Sequence, residues 1–360
     1  MMPSIYNGMK VKILGAGSIG NHLAQASRRM GWDVVVVDKD PSALKRMKED
    51  IYPTRYGKWD DDISLVTGDK EPKGGFDIIM VGTPPHVRIP LAISALSEKP
   101  KVLQLEKPLC QPDGAELEKL SQAVKTNPDV KVIVGYDHAV SESIEYVVGL
   151  INKRIVGDIL TLDVEFREHW GGIFKAHPWL SGPEDSYLGF SSKGGGASGE
   201  HSHALHLWQY LARKSGLGSW KNVSYVLEKV KNDKVDYDSI AAFNIETDIA
   251  RVGRVIQDVV TKPTRKWLRV QGSSGFIEWY CGGSPKGDLV KYQQGDGEIT
   301  EKVFEKTRPD DFYRETLHIK DLLDGKISIK DSPLAFEGGY GVMSLLSLID
   351  SQSAGTVKIG

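Results

Sequence analysis

Three of the nine histidines in the chain, His201, His203 and His206, fall within "GGGASGEHSHALHLWQYLA" (194–212), directly after Glu200. Imidazoles beside a carboxylate suit proton transfer, because histidine changes charge near neutral pH. They also suit metal ligation, although helical zinc sites favour histidines at i and i+4, completed from another element. On one continuous helix Glu200, His203 and His206 would stand at i, i+3 and i+6, so neighbours meet while the outer pair drifts apart, and His201 points elsewhere. Metal ligation, proton transfer and a purely structural cluster all remain open on these residues alone.

A second constellation lies at Gly15-Ala16-Gly17-Ser18-Ile19-Gly20, a G-x-G-x-x-G pattern. Glycine-rich turns are common, and this one gains meaning from following an apolar run, "VKIL" (11–14), and opening a helical pattern. In that context Gly15, Gly17, Ser18, Ile19 and Gly20 would bring backbone N–H groups and a helix N-terminus to a pyrophosphate. Asp38 ends the next apolar run at the offset where an acid accepts the adenosine ribose hydroxyls. An acid there repels a 2′-phosphate and so favours NAD, while Lys39 beside it leaves NADP as an alternative cofactor. The blander reading of Asp38 is a turn residue ahead of Pro41.

These groups need elements to hold them. The first third of the chain alternates apolar runs with amphipathic stretches, as βαβ units on a parallel sheet do. Strands are expected at 11–14, "DVVVVD" (33–38), "FDIIMVG" (76–82), "KVLQLE" (101–106) and "VKVIVGYD" (130–137). Helices are expected over "NHLAQASRRM", from Asp40-Pro41-Ser42, over "PLAISALSE", and after Asp113. Beyond Asp137, after one more helix, "SESIEYVVGLINKR", period-two alternation takes over. It runs through "LTLDVEFREHW" (160–170), "SIAAFNIET" (239–247), "ARVGRVIQDVV" (250–260) and "KWLRVQGSSGFIEWY" (266–280), which suits an antiparallel sheet covered on one face. The expected fold class is α/β: a Rossmann-type dinucleotide domain over 1–137 and an α+β domain on a large, mostly antiparallel open sheet over 138–360.

At "VGTPPHV" (81–87) and "LEKPL" (105–109) the chain resembles the glucose–fructose oxidoreductase / inositol dehydrogenase / MocA-type oxidoreductase family. The nucleotide fingerprint, the glycines before the histidine-bearing helix, "VQGSSGFIEW" (270–279) and "SAGTVKI" (353–359) extend that resemblance over essentially the whole chain. The resemblance implies that the first domain binds NAD(P), and that the open sheet carries the substrate and a homodimer or homotetramer interface. It implies that Lys107 of the E-K-P tripeptide meets the reacting hydroxyl, with Glu106, Thr83, Pro84 and His86 on the nicotinamide side. A lysine at the carboxyl end of a parallel strand can orient a hydroxyl and stabilise alkoxide charge, although an ion pair at a strand end would look the same in sequence. Thr83 equally suits a helix cap.

Aligned this way, His203 takes the position of the proton-transfer residue, the family's leading aspartate falls on Gly199, and its trailing aspartate falls on His206. Glu200, one residue displaced, is the candidate replacement carboxylate and is counted with the catalytic residues. The proton-transfer reading of His203 is the one the resemblance favours, with no metal. An arginine the family often places near Ala139 is missing, and His138 beside it is counted with the substrate-facing groups.

The segment 167–190 supplies His169, Trp170, His177, Trp179 and Tyr187, rings that can stack on sugar faces, among loop-forming Gly171-Gly172, Pro178 and Gly182-Pro183. Trp170, His177 and Trp179 join Lys107, His138 and His203 as substrate candidates. The expected activity is NAD(P)-dependent hydride transfer at a carbinol carbon of a sugar, sugar derivative or cyclitol. A redox-neutral NAD-dependent glycosidase or epimerase-like enzyme, or a non-catalytic NAD-binding sensor, are the alternatives. With 46 basic against 48 acidic side chains, the charge gives no footprint for nucleic acid or an anionic membrane. Cys110 and Cys281 form no disulfide framework or zinc spacing, and Cys110 reads as a small buried residue. A cytoplasmic protein is expected.

Overall fold

Short apolar runs in the first third of the chain become a six-stranded parallel sheet. The computed structural model describes residues 8–175, 177, 179–349 and 353–359. The strands are β1 (Lys10–Leu14), β2 (Asp33–Asp38), β3 (Ile63–Thr67), β4 (Ile78–Val81), β5 (Val102–Glu106) and β6 (Lys131–Gly135), ordered β3-β2-β1-β4-β5-β6. β4 and β5 are buried at every position, so they read as unbroken apolar runs. β3 escaped the sequence reading. It is a half-exposed edge strand behind an acidic turn, with little apolar signal.

The helices of this unit are α1 (Ser18–Arg29), α2 (Pro41–Arg46), α3 (Tyr52–Tyr56), α4 (Pro85–Ser97) and α5 (Gly114–Lys125). Asp40 caps α2 as expected, its side chain accepting from the Ser42 N–H. α4 starts earlier than "PLAISALSE" suggests, with Pro84 at the cap and Pro85 in the first turn, so Thr83 is not the cap. The compact unit comprises Met1–Cys110, Ala115–Asp137 and Arg308–Phe336. Its last segment carries α10 (Arg308–Leu323), whereas the sequence reading assigned everything beyond 137 to the second domain. α10 packs on α1, where the rings of Phe312 and His22 stack at 4.3 Å.

The second unit comprises Gln111–Gly114, His138–Thr307 and Glu337–Gly360. Its sheet is built from β7 (Ile159–Arg167), β8 (Trp220–Lys231), β9 (Asp236–Thr247), β10 (Val252–Asp258), β11 (Arg265–Gly272), β12 (Gly275–Ser284), β13 (Gly287–Gln294), β14 (Thr300–Glu305) and β15 (Ala354–Lys358). Their order is β14-β13-β12-β11-β7-β10-β9-β8-β15, antiparallel except where β10 pairs with β7. β8 and β9 alternate buried and exposed along most of their length, as strands with one covered face do. α6 (Glu142–Asn152) and α9 (His203–Ser215) cover this sheet, with Trp208 of α9 donating to the Leu162 carbonyl on β7 at 2.9 Å. α7 (Trp170–Lys175), α8 (Gly196–Glu200) and α11 (Phe336–Ile349) complete the helices. Among the described residues no helix is long and apolar enough to cross a membrane.

Candidate functional site

The glycine turn between β1 and α1 is built as the pattern requires. Gly15 has φ of +107°, and a Cβ there would lie 3.2 Å from the Gly82 carbonyl at the end of β4. A Cβ on Gly20 would lie 1.9 Å from the Gly15 oxygen, so only glycine lets α1 rise this close to the turn. Gly17, at the N-cap, has open space where a side chain would stand and no side chain caps the helix. The first N–H groups of α1 therefore face a position that an anionic group can occupy. Ser18 and Ile19 form the partly exposed first turn, and Ser18 receives two hydrogen bonds from Arg55, at 2.9 and 2.8 Å. Sequence reasoning missed this cation because α3 carries no motif.

Asp38 acts in the turn, the blander of the two roles weighed for it. Its Oδ2 accepts from the Ala16 N–H at 2.8 Å and its Oδ1 from the Asp40 N–H at 2.9 Å, so it ties the glycine turn to the following loop. The carboxylate remains partly exposed at the end of β2, with Lys39 exposed beside it.

At the ends of β4 and β5, one buried arginine organises the loops. The Arg88 guanidinium, from α4, donates to the carbonyl oxygens of Thr83, Glu106 and Pro108, fixing the "TPPH" and E-K-P segments together. Arg88 was not singled out in sequence, where it is one basic residue in a loop-to-helix stretch. Thr83 Oγ1 is buried with no hydrogen-bond partner among the described residues, while Pro84 and His86 are exposed. Lys107 is partly exposed, and its peptide bond to Pro108 is cis. Glu106 points the other way, into the protein at 4% exposure, in space left by Gly135 on β6, where a Cβ would lie 2.6 Å from Glu106 Oε1. Burial, with Asp137 nearby, outweighs the cations around it and pushes the Glu106 carboxyl up to about 7.

In the second unit the glycine-rich segment is pinned by a buried acid, Asp238 of β9. It accepts from the Ser198 N–H at 2.7 Å, the Ser191 hydroxyl at 2.9 Å and the Ser198 hydroxyl at 3.1 Å. Burial raises its carboxyl to about 6 against the pull of these hydrogen bonds. A Cβ on Gly196 would lie 2.3 Å from this carboxylate. A Cβ on Gly199 would lie 2.1 Å from the Gly194 oxygen, so position 199 admits no aspartate.

Glu200, His203 and His206 do not share one helix, as the i, i+3, i+6 spacing assumed. α8 ends at Glu200, His201 and Ser202 form a turn, and α9 begins at His203. Glu200 is partly exposed, while His201, His203 and His206 are buried. The His203 ring meets the His138 ring edge to face at 4.9 Å and lies parallel to Phe166 at 6.0 Å. His138 also abuts Phe166 and Trp279. These two predicted residues are thus brought together. Behind them Trp279 donates to Ser143 at 2.9 Å, and Ser143 donates to the buried Asp288 at 2.6 Å, a set that sequence reading did not find. His206 packs elsewhere, against α11, where a Cβ on Gly338 would lie 2.9 Å from its Nε2.

The aromatic segment divides. Trp170 is buried in an apolar cluster with Ile173, Leu188, Ala197, Val235, Tyr237 and Val259, stacked on Phe174 at 5.4 Å. That is core packing rather than a face open to sugar. His177 and Trp179 remain partly exposed, edge to face at 5.4 Å. Pro178 lies outside the described residues. Cys110 is fully buried, as expected.

Residues 11–68 match the TrkA-N domain. Comparison with curated protein sequences gives no match. Among solved structures the chain is similar to a levoglucosan dehydrogenase in complex with NADH, at 17% identity and TM-score 0.77, covering 98% of this chain and 99% of the other. It is similar to an aldose-aldose oxidoreductase from Caulobacter crescentus complexed with glycerol, at 17% identity and TM-score 0.73, covering 98% and 100%. It is also similar to an inositol dehydrogenase homolog from Azotobacter vinelandii complexed with NADH and myo-inositol, at 15% identity and TM-score 0.71, covering 99% and 98%. At these identities the likeness is one of fold, and the fold is that of a Rossmann-type parallel domain joined to a large, mostly antiparallel open sheet.

Proposed function

We propose that the chain is an NAD-dependent dehydrogenase acting on a carbinol carbon of a sugar, sugar derivative or cyclitol. The observation that carries the reading is the uncapped start of α1 at Gly17, with open space before it and the Asp38 carboxylate at the end of the next strand. The residues fit a dinucleotide. Gly17, Ser18 and Ile19 would hold the pyrophosphate, Arg55 would add positive charge beside it, and Asp38 would take the ribose hydroxyls. The buried, unpartnered Thr83 Oγ1 at the end of β4 offers a hydrogen-bonding group to the nicotinamide end, with Pro84 and His86 beside it and Lys107 on the neighbouring strand end.

When bound, NAD supplies the two-electron chemistry and leaves the protein to manage the proton. Lys107 is the group proposed to orient the reacting hydroxyl and stabilise charge on its oxygen. His203, held by Phe166 and His138, is the proposed proton-transfer residue. His138, His177 and Trp179 are the proposed substrate-facing groups, and Glu200 the carboxylate nearest His203 in sequence. Structural neighbours are solved with levoglucosan and myo-inositol, which supports a polyhydroxylated substrate. The chain is further proposed to self-associate through its open sheet, whose strands expose Leu160, Val226, Val252 and Val303.

A panel of sugars and cyclitols, assayed with NAD and with NADP by nicotinamide absorbance, tests the reading. Net NAD reduction with one compound class is the expected result. Product formation without absorbance change would replace it with a redox-neutral reaction, and NAD binding without turnover of any compound would replace it with a sensor.

A further inference from the structure

Behind the strand end that carries Lys107, the first unit buries two carboxyl groups from distant parts of the chain. Glu106 ends β5 at 4% exposure, and Glu315, on α10, is 1% exposed. Gln104 stands two residues before Glu106 and therefore on the same face of β5. Its Nε2 lies 3.1 Å from Glu315 Oε2 and 3.4 Å from Glu106 Oε1, so one amide group serves both acids.

Four charged groups act on the pair: Arg88 from α4, Lys107, Asp137 after β6, and Arg308 on α10. Arg88 directs donors to three backbone carbonyls. Arg308 is engaged by Asp137 at 2.8 Å and Asp311 at 2.9 Å. Neither Glu106 nor Glu315 forms an ion pair with any of them among the described residues. Glu315 Oε1 and Gln104 Oε1 are both buried with no hydrogen-bond partner among the described residues. Two ionised carboxylates sharing one amide in a water-poor interior would repel and leave an anionic oxygen bare. One proton removes that repulsion and converts a bare acceptor into a donor. Turning the Gln104 amide over would aim its oxygen at both acids and call for acidic protons still more.

We infer that Glu106 and Glu315 hold one proton between them across Gln104, and that Glu315 is thereby a positioning residue limiting the strand end beside Lys107 to a single negative charge. A second negative charge there would draw the Lys107 ammonium toward the protein and away from a substrate hydroxyl. Burial raises both carboxyls; Asp137 adds to the effect on each, and Glu106 adds to that on Glu315. The folded chain therefore binds this proton more tightly than the unfolded chain. The pair contributes most to stability below the ordinary value of 4.5, and that contribution is lost as pH rises toward about 7.

The test is infrared spectroscopy of the full-length protein without cofactor, titrated from about pH 5 to about pH 9 across the raised carboxyl range. The wild type should show the carbonyl stretch of a buried, protonated carboxyl at neutral pH and lose it at the alkaline end. Glu315→Gln and Glu106→Gln should each move the loss of the band to lower pH, because the remaining acid keeps its burial but no longer faces a like charge, and Glu315→Asp should restore the wild-type midpoint. No such band in the wild type, or a midpoint unmoved in both variants, overturns the shared proton; the wild-type arm stands even if a variant does not fold. The positioning role rests on the proposed dehydrogenase activity. With a turned-over substrate, Glu315→Gln should move the alkaline limb of the pH–rate profile by about one pH unit or more. A limb unmoved in Glu315→Gln overturns the role of Glu315, whereas a wild type that turns over nothing in the panel overturns the dehydrogenase reading and leaves the infrared result intact.

Discussion

Asp38→Asn separates the proposed cofactor selection from loop support, because the carboxylate also ties the glycine turn to the following loop. The carboxylate accepts from the Ala16 N–H at 2.8 Å and the Asp40 N–H at 2.9 Å. Asparagine keeps one carbonyl oxygen to serve Ala16, so the glycine turn retains its main support, while the negative charge is lost. A hydrogen bond to a charged group is worth about 1.5–3 kcal/mol, so NAD should weaken by roughly 10- to 150-fold in Kd. NADP should bind no worse than to the wild type and better in low salt, since its 2′-phosphate no longer meets an anion. Asp38→Ala is a harsher control. It strands both N–H groups, so it should also weaken NADP and lower thermal stability, the partly buried Ala16 N–H alone being worth about 1–3 kcal/mol. Calorimetric titration of both cofactors at one ionic strength is the assay. Unchanged NAD affinity in Asp38→Asn, or equal losses for NAD and NADP, would leave Asp38 as a loop tie and remove the basis for an NAD preference.

Lys107→Ala should lower turnover by roughly 10²–10⁴ while leaving NAD affinity near wild type, the range for a positioned acid–base group; near-normal turnover would demote Lys107 to a strand-end charge. His203→Asn should cut turnover and abolish any inflection of the pH–rate profile between about pH 5 and about 8, whereas His206→Asn, at a ring that lies beside Gly338 of α11, should keep the inflection. Wild-type activity should survive prolonged chelator treatment, and loss restored by zinc would return the histidine cluster to a metal site. Lys12, fully buried, bonds Glu98 at 2.6 Å, Glu71 at 2.8 Å and the Pro72 carbonyl at 3.1 Å. Lys12→Met should destabilise the chain by about 1–3 kcal/mol in denaturant melts, because Glu71 and Glu98, both partly exposed, lose their buried cation and keep Lys73.

What was legible in the sequence depended on how local the physics is. β1, β2, β4, β5 and β6 could be read because strands covered on both faces must be unbroken apolar runs, and the glycine turn because its spacing is fixed within six residues. The break between α8 and α9 could not be read by helical periodicity. It arises from a tight approach of Gly199 to the Gly194 carbonyl and from the hold of Asp238, some forty residues later, on Ser198. The same contact gives Gly199 its reason: the position where the resembled family carries an aspartate has no room here for a side chain. Trp170 shows the converse error, since an aromatic in a glycine-rich segment carries no mark of whether its ring faces solvent or Tyr237. The most consequential omission was α10, which belongs to the first unit although it follows the whole second sheet in sequence. Glu315 on that helix meets an amide 211 residues earlier, and no periodicity, spacing or motif connects positions so far apart. Charge pairing over such distances is fixed only by the path of the chain, which is why the acid beside the proposed catalytic lysine was visible in sequence and its partner was not.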